Sequence, residues 1–193
     1  MFQKRDGGIR GCSKKNVWQS ERFFATTIKI HMCLSILRRQ VEFRSSKQTD
    51  LEAVVSWIGS ANECLAWAGP DVTFPMTPEG LKGQIACDCE NSYCLVEDGR
   101  VVAFGQLIKK GEHHFHLARI IVAPGARGRG CGRTICRHLI CRAQSMGTRL
   151  LTLNVYQDNL TALELYRDLG FEPGPPPGTT PLPAEVVHMR WRG

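Results

Sequence analysis

The chain has 193 residues, of which 42% are hydrophobic. That is enough for one domain with a sizeable core, and it leaves little room for a second. The formal net charge is +7. Residues 1–40 hold nine basic residues (Lys or Arg) and two acidic residues, whereas residues 41–193 hold sixteen basic and sixteen acidic residues. Because the excess lies in the first forty residues, the net charge gives no evidence that the folded part binds nucleic acid.

Residues 1–40 are predicted to be a basic N-terminal extension, since they lack clear turn and strand signals. Three interpretations stay open. The segment is a disordered tail or a mispredicted start with the true one at Met32, a basic arm that binds a surface, or a transit peptide. Asp6 and Glu21 are unfavourable for a transit peptide.

Cysteine usage and hydropathy bear on the compartment. Nine cysteines, an odd number scattered along the chain, favour free thiols in a reducing cytosol. No apolar run approaches the roughly eighteen residues of a membrane span, and no cleavable signal is visible. We therefore expect a cytoplasmic protein, a monomer or homodimer, with no membrane partner.

From residue 41 onward, strand and helix patterns alternate in chain order. We predict a strand over 41–46, a helix over 51–59 capped by Asp50 and closed by Gly59, a second helix starting at Thr77, a hairpin over 92–108 and a strand over 113–123. A helix over 131–146, a strand over 149–156, a helix from Asp158 or Asn159 to Leu169 and a last strand over 185–191 follow. This pattern indicates one mixed α/β domain over residues 41–193.

A loop rich in glycine and arginine, 124-PGARGRGCG-132, links the strand to the helix over 131–146. Its glycines allow tight turns and close approach of a ligand, and a helix that begins there directs unpaired N–H groups at an anion. The loop is not a P-loop, because Cys131 and Gly132 stand where Lys and Ser or Thr are needed. It is not a dinucleotide fingerprint either, because Arg133 stands where a third small residue is needed.

The residues Arg127-x-x-Gly130-x-Gly132 resemble the pyrophosphate motif Arg/Gln-x-x-Gly-x-Gly/Ala of the GNAT superfamily of acetyl-CoA-dependent N-acetyltransferases. The preceding strand and the segment Asn159…Tyr166…Gly170-Phe171 match the same family in order. The resemblance covers about residues 41–193. It implies a mixed, mostly antiparallel sheet that splays around an acetyl-CoA site, flanked by helices, and transfer of an acetyl group to a primary amine without a metal.

The resemblance also implies which residues hold acetyl-CoA. Backbone amides of residues 128–132 would take the pyrophosphate, and arginines of the loop and helix would neutralise it or the 3′-phosphate. The exposed backbone of the strand before the loop would pair with pantetheine. The predicted cofactor-binding residues are Ile120, Ile121, Val122, Arg127, Gly128, Arg129, Gly130, Cys131, Gly132, Arg133 and Asn159, although Asn159 could instead only cap its helix.

For catalysis, the resemblance makes Tyr166 the general acid and a backbone N–H near Ile121 or Val122 the oxyanion donor. Ribosomal-protein N-terminal acetyltransferases, which the chain partly resembles, carry Glu where this chain has Asn154, so their substrate does not transfer directly. His114 and His116, on one face of a strand, are candidate bases acting through water.

The acceptor is expected to be a protein N-terminus or a small-molecule amine, because an α-amine near pKa 8 needs less help from a base than a lysine. Trp67 and Phe74, in a loop between the first two predicted helices, are candidate substrate contacts together with Asn154. A loop packed on the core by these aromatic residues is the alternative.

Three alternatives belong to other functional classes. A catalytically silent GNAT fold would bind acyl-CoA as a sensor or interaction module; the absence of Glu at position 154 keeps this alternative open, whereas Tyr166 argues against it. A zinc site of Cys87, Cys89, Cys94 and neighbouring histidines is disfavoured by the short Cys-x-Cys spacing. A nucleic-acid-binding basic tail would depend on residues 1–40.

Overall fold

The computed structural model describes residues 40–177 and 182–193. The expectations for residues 1–39 therefore lie outside the described residues. The strands are β1 (Val41–Ser45), β2 (Ser92–Glu97), β3 (Arg100–Lys109), β4 (His114–Val122), β5 (Leu150–Tyr156), β6 (Phe171–Pro173) and β7 (Val186–Trp191). The helices are α1 (Asp50–Ser56), α2 (Ala61–Ala68), α3 (Pro78–Gln84), α4 (Cys131–Ser145) and α5 (Leu160–Asp168), with a 3-10 turn over Pro124–Ala126.

The strands form one seven-stranded sheet in the order β1-β2-β3-β4-β5-β7-β6. Every neighbouring pair is antiparallel except β4 and β5, which are parallel. A parallel pair needs a long crossover, and α4 supplies it between these two strands. The predicted fold, a mixed and mostly antiparallel sheet flanked by helices, is confirmed.

Each face of the sheet is covered by its own hydrophobic core. Helices α4 and α5 bury one face, with the inward residues Ile135, Leu139, Leu163 and Tyr166 packed on Leu95, Leu107, Phe115, Leu117, Leu151 and Leu153. Helices α1 to α3 bury the other face over β2 and β3, with Leu51, Val54, Cys64 and Leu81 packed on Cys94, Val96 and Phe104. On this second face β4, β5 and β7 also carry the polar residues His114, His116, Thr152, Asn154 and His188, which line a cavity.

The start of α1 differs from its prediction. Asp50 is the first residue of the helix, and the cap position is Thr49, whose side chain makes no capping bond. The Asp50 carboxylate instead binds the Arg44 guanidinium with two contacts of 2.6 and 2.9 Å. The helix ends at Ser56 rather than at Gly59. Asp50 therefore ties α1 to β1 rather than capping the helix.

Helix α2 was not predicted. Ser60 Oγ accepts a hydrogen bond from the Glu63 N–H at 3.2 Å, while Glu63 Oε2 accepts from the Gly59 N–H at 2.7 Å. Ser60 is the cap residue of the helix, and Glu63 reaches back one residue further than in a standard capping box, to Gly59. The spacing Ser60-x-x-Glu63 was the sequence signal that could have revealed it.

No helix among the described residues combines the length and apolar character needed to cross a bilayer. Within the same ranges no group of three or more His, Cys, Asp or Glu is placed to hold a metal ion. The described cysteines are free thiols.

Candidate active site

Strands β4 and β5 separate part of the way along their length. Their parallel pairing runs from His114 opposite Leu150 to Leu117 opposite Leu153, and no later pair joins them in the described chain. Beyond that point β4 stays paired with β3, and β5 stays paired with β7. The backbone of β4 from Ile120 to Val122 therefore lies at the edge of an opening between the two strands.

Arg119 marks the place where β4 leaves β5. It has a positive φ of 52°, and the β3–β4 register shifts between Phe104 and Gln106. Its guanidinium donates to Gln106 Oε1 at 2.8 Å, and its buried Nε has no partner among the described residues. A bulge of this kind bends a strand and redirects its backbone groups.

The glycine loop brings the start of α4 to this opening. Gly128 and Gly130 have φ values of 72° and 81°, a conformation that strongly favours glycine. Gly130 occupies the cap position of this 15-residue helix. Because glycine has no side chain, the cap residue offers no side-chain acceptor to the first N–H groups of the helix. Gly132 lies close to Val122 and Leu165, with both side chains 3.5 Å from the position of an added Cβ.

The three predicted arginines differ in their contacts. Arg129 forms an ion pair with Glu97, and Arg133 forms one with Asp168 at 2.6 Å. Arg127 Nε donates to the Val122 carbonyl at 3.4 Å, and no ion pair of Arg127 is present among the described residues. Arg127 can therefore bind an anion without breaking an ion pair, whereas Arg129 and Arg133 would each first have to separate from a carboxylate.

Tyr166 and Asn159 both belong to the α5 region, but only Tyr166 is buried. The Tyr166 ring packs edge-on against Phe171, with ring centroids 6.0 Å apart, and burial raises the pKa of its phenol. Its hydroxyl therefore keeps its proton at neutral pH. Asn159 Oδ1 accepts from the Ala162 N–H at 3.2 Å, so Asn159 does cap α5.

His114 and His116 meet at one hydroxyl group. His114 Nε2 and His116 Nδ1 lie 3.0 and 2.8 Å from Thr152 Oγ1, and that hydroxyl faces the Phe115 carbonyl at 3.4 Å. If the hydroxyl donates to the carbonyl, both imidazoles donate to Thr152. Burial, reinforced by Lys110, lowers the pKa of His116 to about 3 and also lowers that of His114.

A cavity of about 370 Å³ opens on the same face of the sheet. It is lined by Lys110, His114, His116, Thr152, Asn154, Pro176, Pro177, Leu182 and His188. Among the described residues of this lining, Lys110 is the only charged side chain and there is no carboxylate. The structure therefore brings together three predicted residues, His114, His116 and Asn154.

His188 also lines the cavity, and the sequence patterns did not single it out. It lies on β7 opposite Asn154, and its Nδ1 is 2.8 Å from Asn154 Oδ1. Burial lowers its pKa, with further contributions from Arg190 and His114. A single histidine in an apolar strand gives no signal of its own, and only the strand register shows its neighbour.

Trp67 and Phe74 lie elsewhere on the same face. Trp67 is in α2, not in the expected loop, and its ring packs edge-on against Phe104 with centroids 6.3 Å apart. Both aromatic residues pack on the core under α1 to α3, beside Ile121 of β4. Neither lines the histidine cavity, so their contact with a substrate stays a prediction.

Comparisons with known proteins agree with this geometry. Residues 56–171 match the family described as Acetyltransferase (GNAT) family. Streptothricin acetyltransferase of Streptomyces lavendulae is 28% identical over 153 residues, which is 67% of this chain and 80% of that protein.

Two solved structures share the fold. The ribosomal-protein-S18-alanine N-acetyltransferase of Escherichia coli has a TM-score of 0.58 at 22% identity, covering 79% of this chain and 93% of that one. The PaiA N-acetyltransferase of Thermoplasma acidophilum, in complex with coenzyme A, has a TM-score of 0.62 at 16% identity, covering 80% and 99%. The family match spans more than half of the sequence, and this chain therefore belongs to the GNAT family of acetyltransferases.

Proposed function

We propose that this protein transfers the acetyl group of acetyl-CoA directly to a primary amine in a ternary complex. The observation that carries the proposal is the opening where β4 leaves β5 after Leu117 and Leu153, next to the start of α4. An open strand edge offers unpaired backbone groups to pantetheine, and a helix N-terminus offers N–H groups to a pyrophosphate.

The residues at the opening fit acetyl-CoA. The backbone of residues 128–132 would bind the pyrophosphate, with Arg127 supplying positive charge that no carboxylate among the described residues neutralises. Arg129 and Arg133 would contribute only after leaving Glu97 and Asp168. The edge of β4 over Ile120, Ile121 and Val122 would pair with the pantetheine arm, which directs the thioester toward the cavity.

The chemistry follows from this placement. The amine nitrogen attacks the thioester carbon, a backbone N–H near Ile121 or Val122 stabilises the oxyanion, and the C–S bond breaks. Tyr166 would give the departing sulfur its proton. Its raised pKa keeps the phenol protonated before the reaction.

The acceptor we propose is a protein N-terminus or a small-molecule amine. Lys110 is the only charged group among the described residues that line the cavity, and these residues include no carboxylate that would stabilise an ammonium ion. Slightly above neutral pH an α-amine with a pKa of about 8 is uncharged in a substantial fraction of molecules, whereas a lysine amine with a pKa of about 10.4 is almost entirely charged. His114 and His116 remain candidates for moving a proton.

The test is a thiol-release assay with the full chain, acetyl-CoA and either L-alaninamide or Nα-acetyl-lysine methylamide. We expect thiol release that depends on the amine, with L-alaninamide the better acceptor. Tyr166→Phe should lower kcat about 100-fold, in the range expected for loss of a general acid. Tyr93→Phe is the control, because the Tyr93 hydroxyl binds the Glu90 carbonyl instead.

Binding of acetyl-CoA without release of thiol for either amine would contradict the transferase. It would instead support the silent acyl-CoA-binding module. Equal activity of Tyr166→Phe and Tyr93→Phe would remove Tyr166 from the mechanism while leaving the transfer itself in place.

A further inference from the structure

The imidazole of His188 has one buried nitrogen that no described residue partners. The residue is 6% exposed, and Nε2 makes no hydrogen bond among the described residues. A buried polar nitrogen in this state destabilises the folded protein unless something binds it. Because His188 also lines the cavity, a ligand in the cavity could supply the missing partner.

The other ring nitrogen indicates which kind of ligand this is. Nδ1 lies 2.8 Å from Asn154 Oδ1, and an amide oxygen only accepts hydrogen bonds. Nδ1 therefore carries the hydrogen, and in the neutral ring Nε2 holds a lone pair. The partner that Nε2 lacks is a hydrogen-bond donor such as an amine.

The strand register places His188 closer to the opening than the other two histidines. His116 lies opposite Thr152, inside the paired part of β4 and β5. Asn154 follows the last paired residue of β5, Leu153, and His188 lies directly opposite Asn154 on β7. His188 therefore stands at the level where the strands separate and the thioester is expected.

Charges around the cavity favour an uncharged amine. The groups that act on His188 are Arg190 on its own strand and His114 on β4, and both disfavour further positive charge. Lys110 does the same for His114 and His116. An ammonium ion would meet like charge here, so the acceptor would bind as the free base, with its N–H pointing at Nε2.

We propose that this cavity binds the acceptor amine, that His188 Nε2 accepts its N–H and then its proton, and that Asn154 positions the imidazole. This inference rests on the proposed transferase function. The nitrogen lone pair forms the C–N bond, and the C–S electron pair leaves with the sulfur. The nitrogen proton passes to Nε2, Tyr166 protonates the thiolate, and water returns the proton from His188 to Tyr166.

The first test is His188→Asn in the full chain. The new amide can still donate to Asn154 Oδ1 but has no atom at the position of Nε2. Thiol release from acetyl-CoA with L-alaninamide should fall about 100-fold in kcat, while calorimetry should give an unchanged Kd for acetyl-CoA. His113→Asn is the matched control, because the His113 ring lies in the turn before β4, 2.9 Å from the Gly147 carbonyl, and it should stay within threefold of native.

The second test is Asn154→Asp, which keeps an acceptor for Nδ1–H but adds a charge beside it. A carboxylate at position 154 should raise the pKa of His188. In the pH profile of kcat/KM, calculated with the concentration of uncharged L-alaninamide, the acid limb should therefore move up by about one pH unit or more. A merely structural role for Asn154 would leave this limb where it is. The pH profile of Asn154→Asp therefore tests the role of His188 even if His188→Asn fails to fold.

Nitrogen-15 NMR of labelled native protein gives a readout that is independent of activity. At pH 7 we expect His188 Nδ1 protonated and Nε2 unprotonated, with an Nε2 shift when L-alaninamide is added in the presence of coenzyme A. A protonated Nε2, or no response to the amine, overturns the proposal.

Failure of this inference and failure of the proposed function are distinguishable. Thiol release by native protein, with His188→Asn within threefold of it, overturns the role of His188 and leaves the transferase intact. No thiol release by native protein, together with an Nε2 that responds to L-alaninamide, supports the amine pocket and contradicts the transfer.

Discussion

Gly105 of β3 lies where a side chain has no room. A Cβ added there would stand 2.6 Å from Ile120 Cδ1 and 3.0 Å from Leu139 Cδ1, so β4 and α4 both crowd it. The shorter distance is roughly 1 Å below the 3.5–4.0 Å optimum for two carbon atoms. In Gly105→Ala the Ile120 side chain must therefore leave its rotamer or the strands must shift.

The cost can be estimated from these contacts. Overpacking of a well-packed core costs about 1–3 kcal/mol, and the low end applies here because both close atoms are the ends of flexible side chains that can turn aside. A value of about 1 kcal/mol corresponds to a fall in Tm of about 2–4 °C for a domain of this size. Because Ile120 lies on the open edge of β4, the same shift should also weaken binding of acetyl-CoA.

Gly83→Ala is the matched control for this glycine substitution. Gly83 lies in α3, and an added Cβ there meets nothing within 4 Å. Alanine is a better helix former than glycine, so this variant should gain about 0.5–1 kcal/mol. Urea unfolding of both variants measures the two changes. A Gly105→Ala protein as stable as native, or equal changes in the two variants, would refute the packing argument.

Two further predictions concern stability. Burial lowers the pKa of His114, His116 and His188. As the pH falls, these histidines therefore become protonated in the unfolded chain before they do so in the folded protein. The stability that they contribute is complete above about pH 6.5 and is lost below it. His116 has a folded pKa of about 3, so it alone should lower the free energy of unfolding by about 2 kcal/mol between pH 6.5 and 5, as measured by urea unfolding. His116→Gln should abolish this part of the pH dependence. An equally steep loss of stability in the variant would contradict the burial argument. Asn159→Ala removes the oxygen that accepts from the Ala162 N–H, so its unfolding free energy should fall by about 1 kcal/mol, and no change would mean that the cap contributes nothing.

Elements with strong periodicity or distinctive turn residues could be predicted from the sequence. The inward face of α4, with Ile135, Leu139, Ile140 and Ala143, is buried as its spacing indicated. The glycines at 128 and 130 do adopt left-handed conformations before that helix. These features depend on local sequence, which one chain shows by itself.

Features that depend on partners distant in sequence were missed. Asp is a residue type that often caps helices, but the Asp50 carboxylate forms an ion pair with Arg44 on β1 instead. Helix α2 has a weak apolar pattern, and only the spacing of Ser60 and Glu63 at its start marked it. His188 became a candidate only because β7 pairs with β5 and brings it to Asn154, and such pairing is set by the whole sheet.

The central claim is that the loop before α4 holds the pyrophosphate of acetyl-CoA. Isothermal titration calorimetry of the full chain with acetyl-CoA tests it most directly, with Arg127→Glu in the loop and, as the control, Arg137→Glu at an exposed position within α4. We predict that native protein binds acetyl-CoA, that Arg127→Glu weakens binding at least tenfold, and that Arg137→Glu stays within about twofold, because charge effects at a helix N-terminus fade beyond the first turn. No binding by the folded native chain, or equal weakening in the two variants, would contradict the claim.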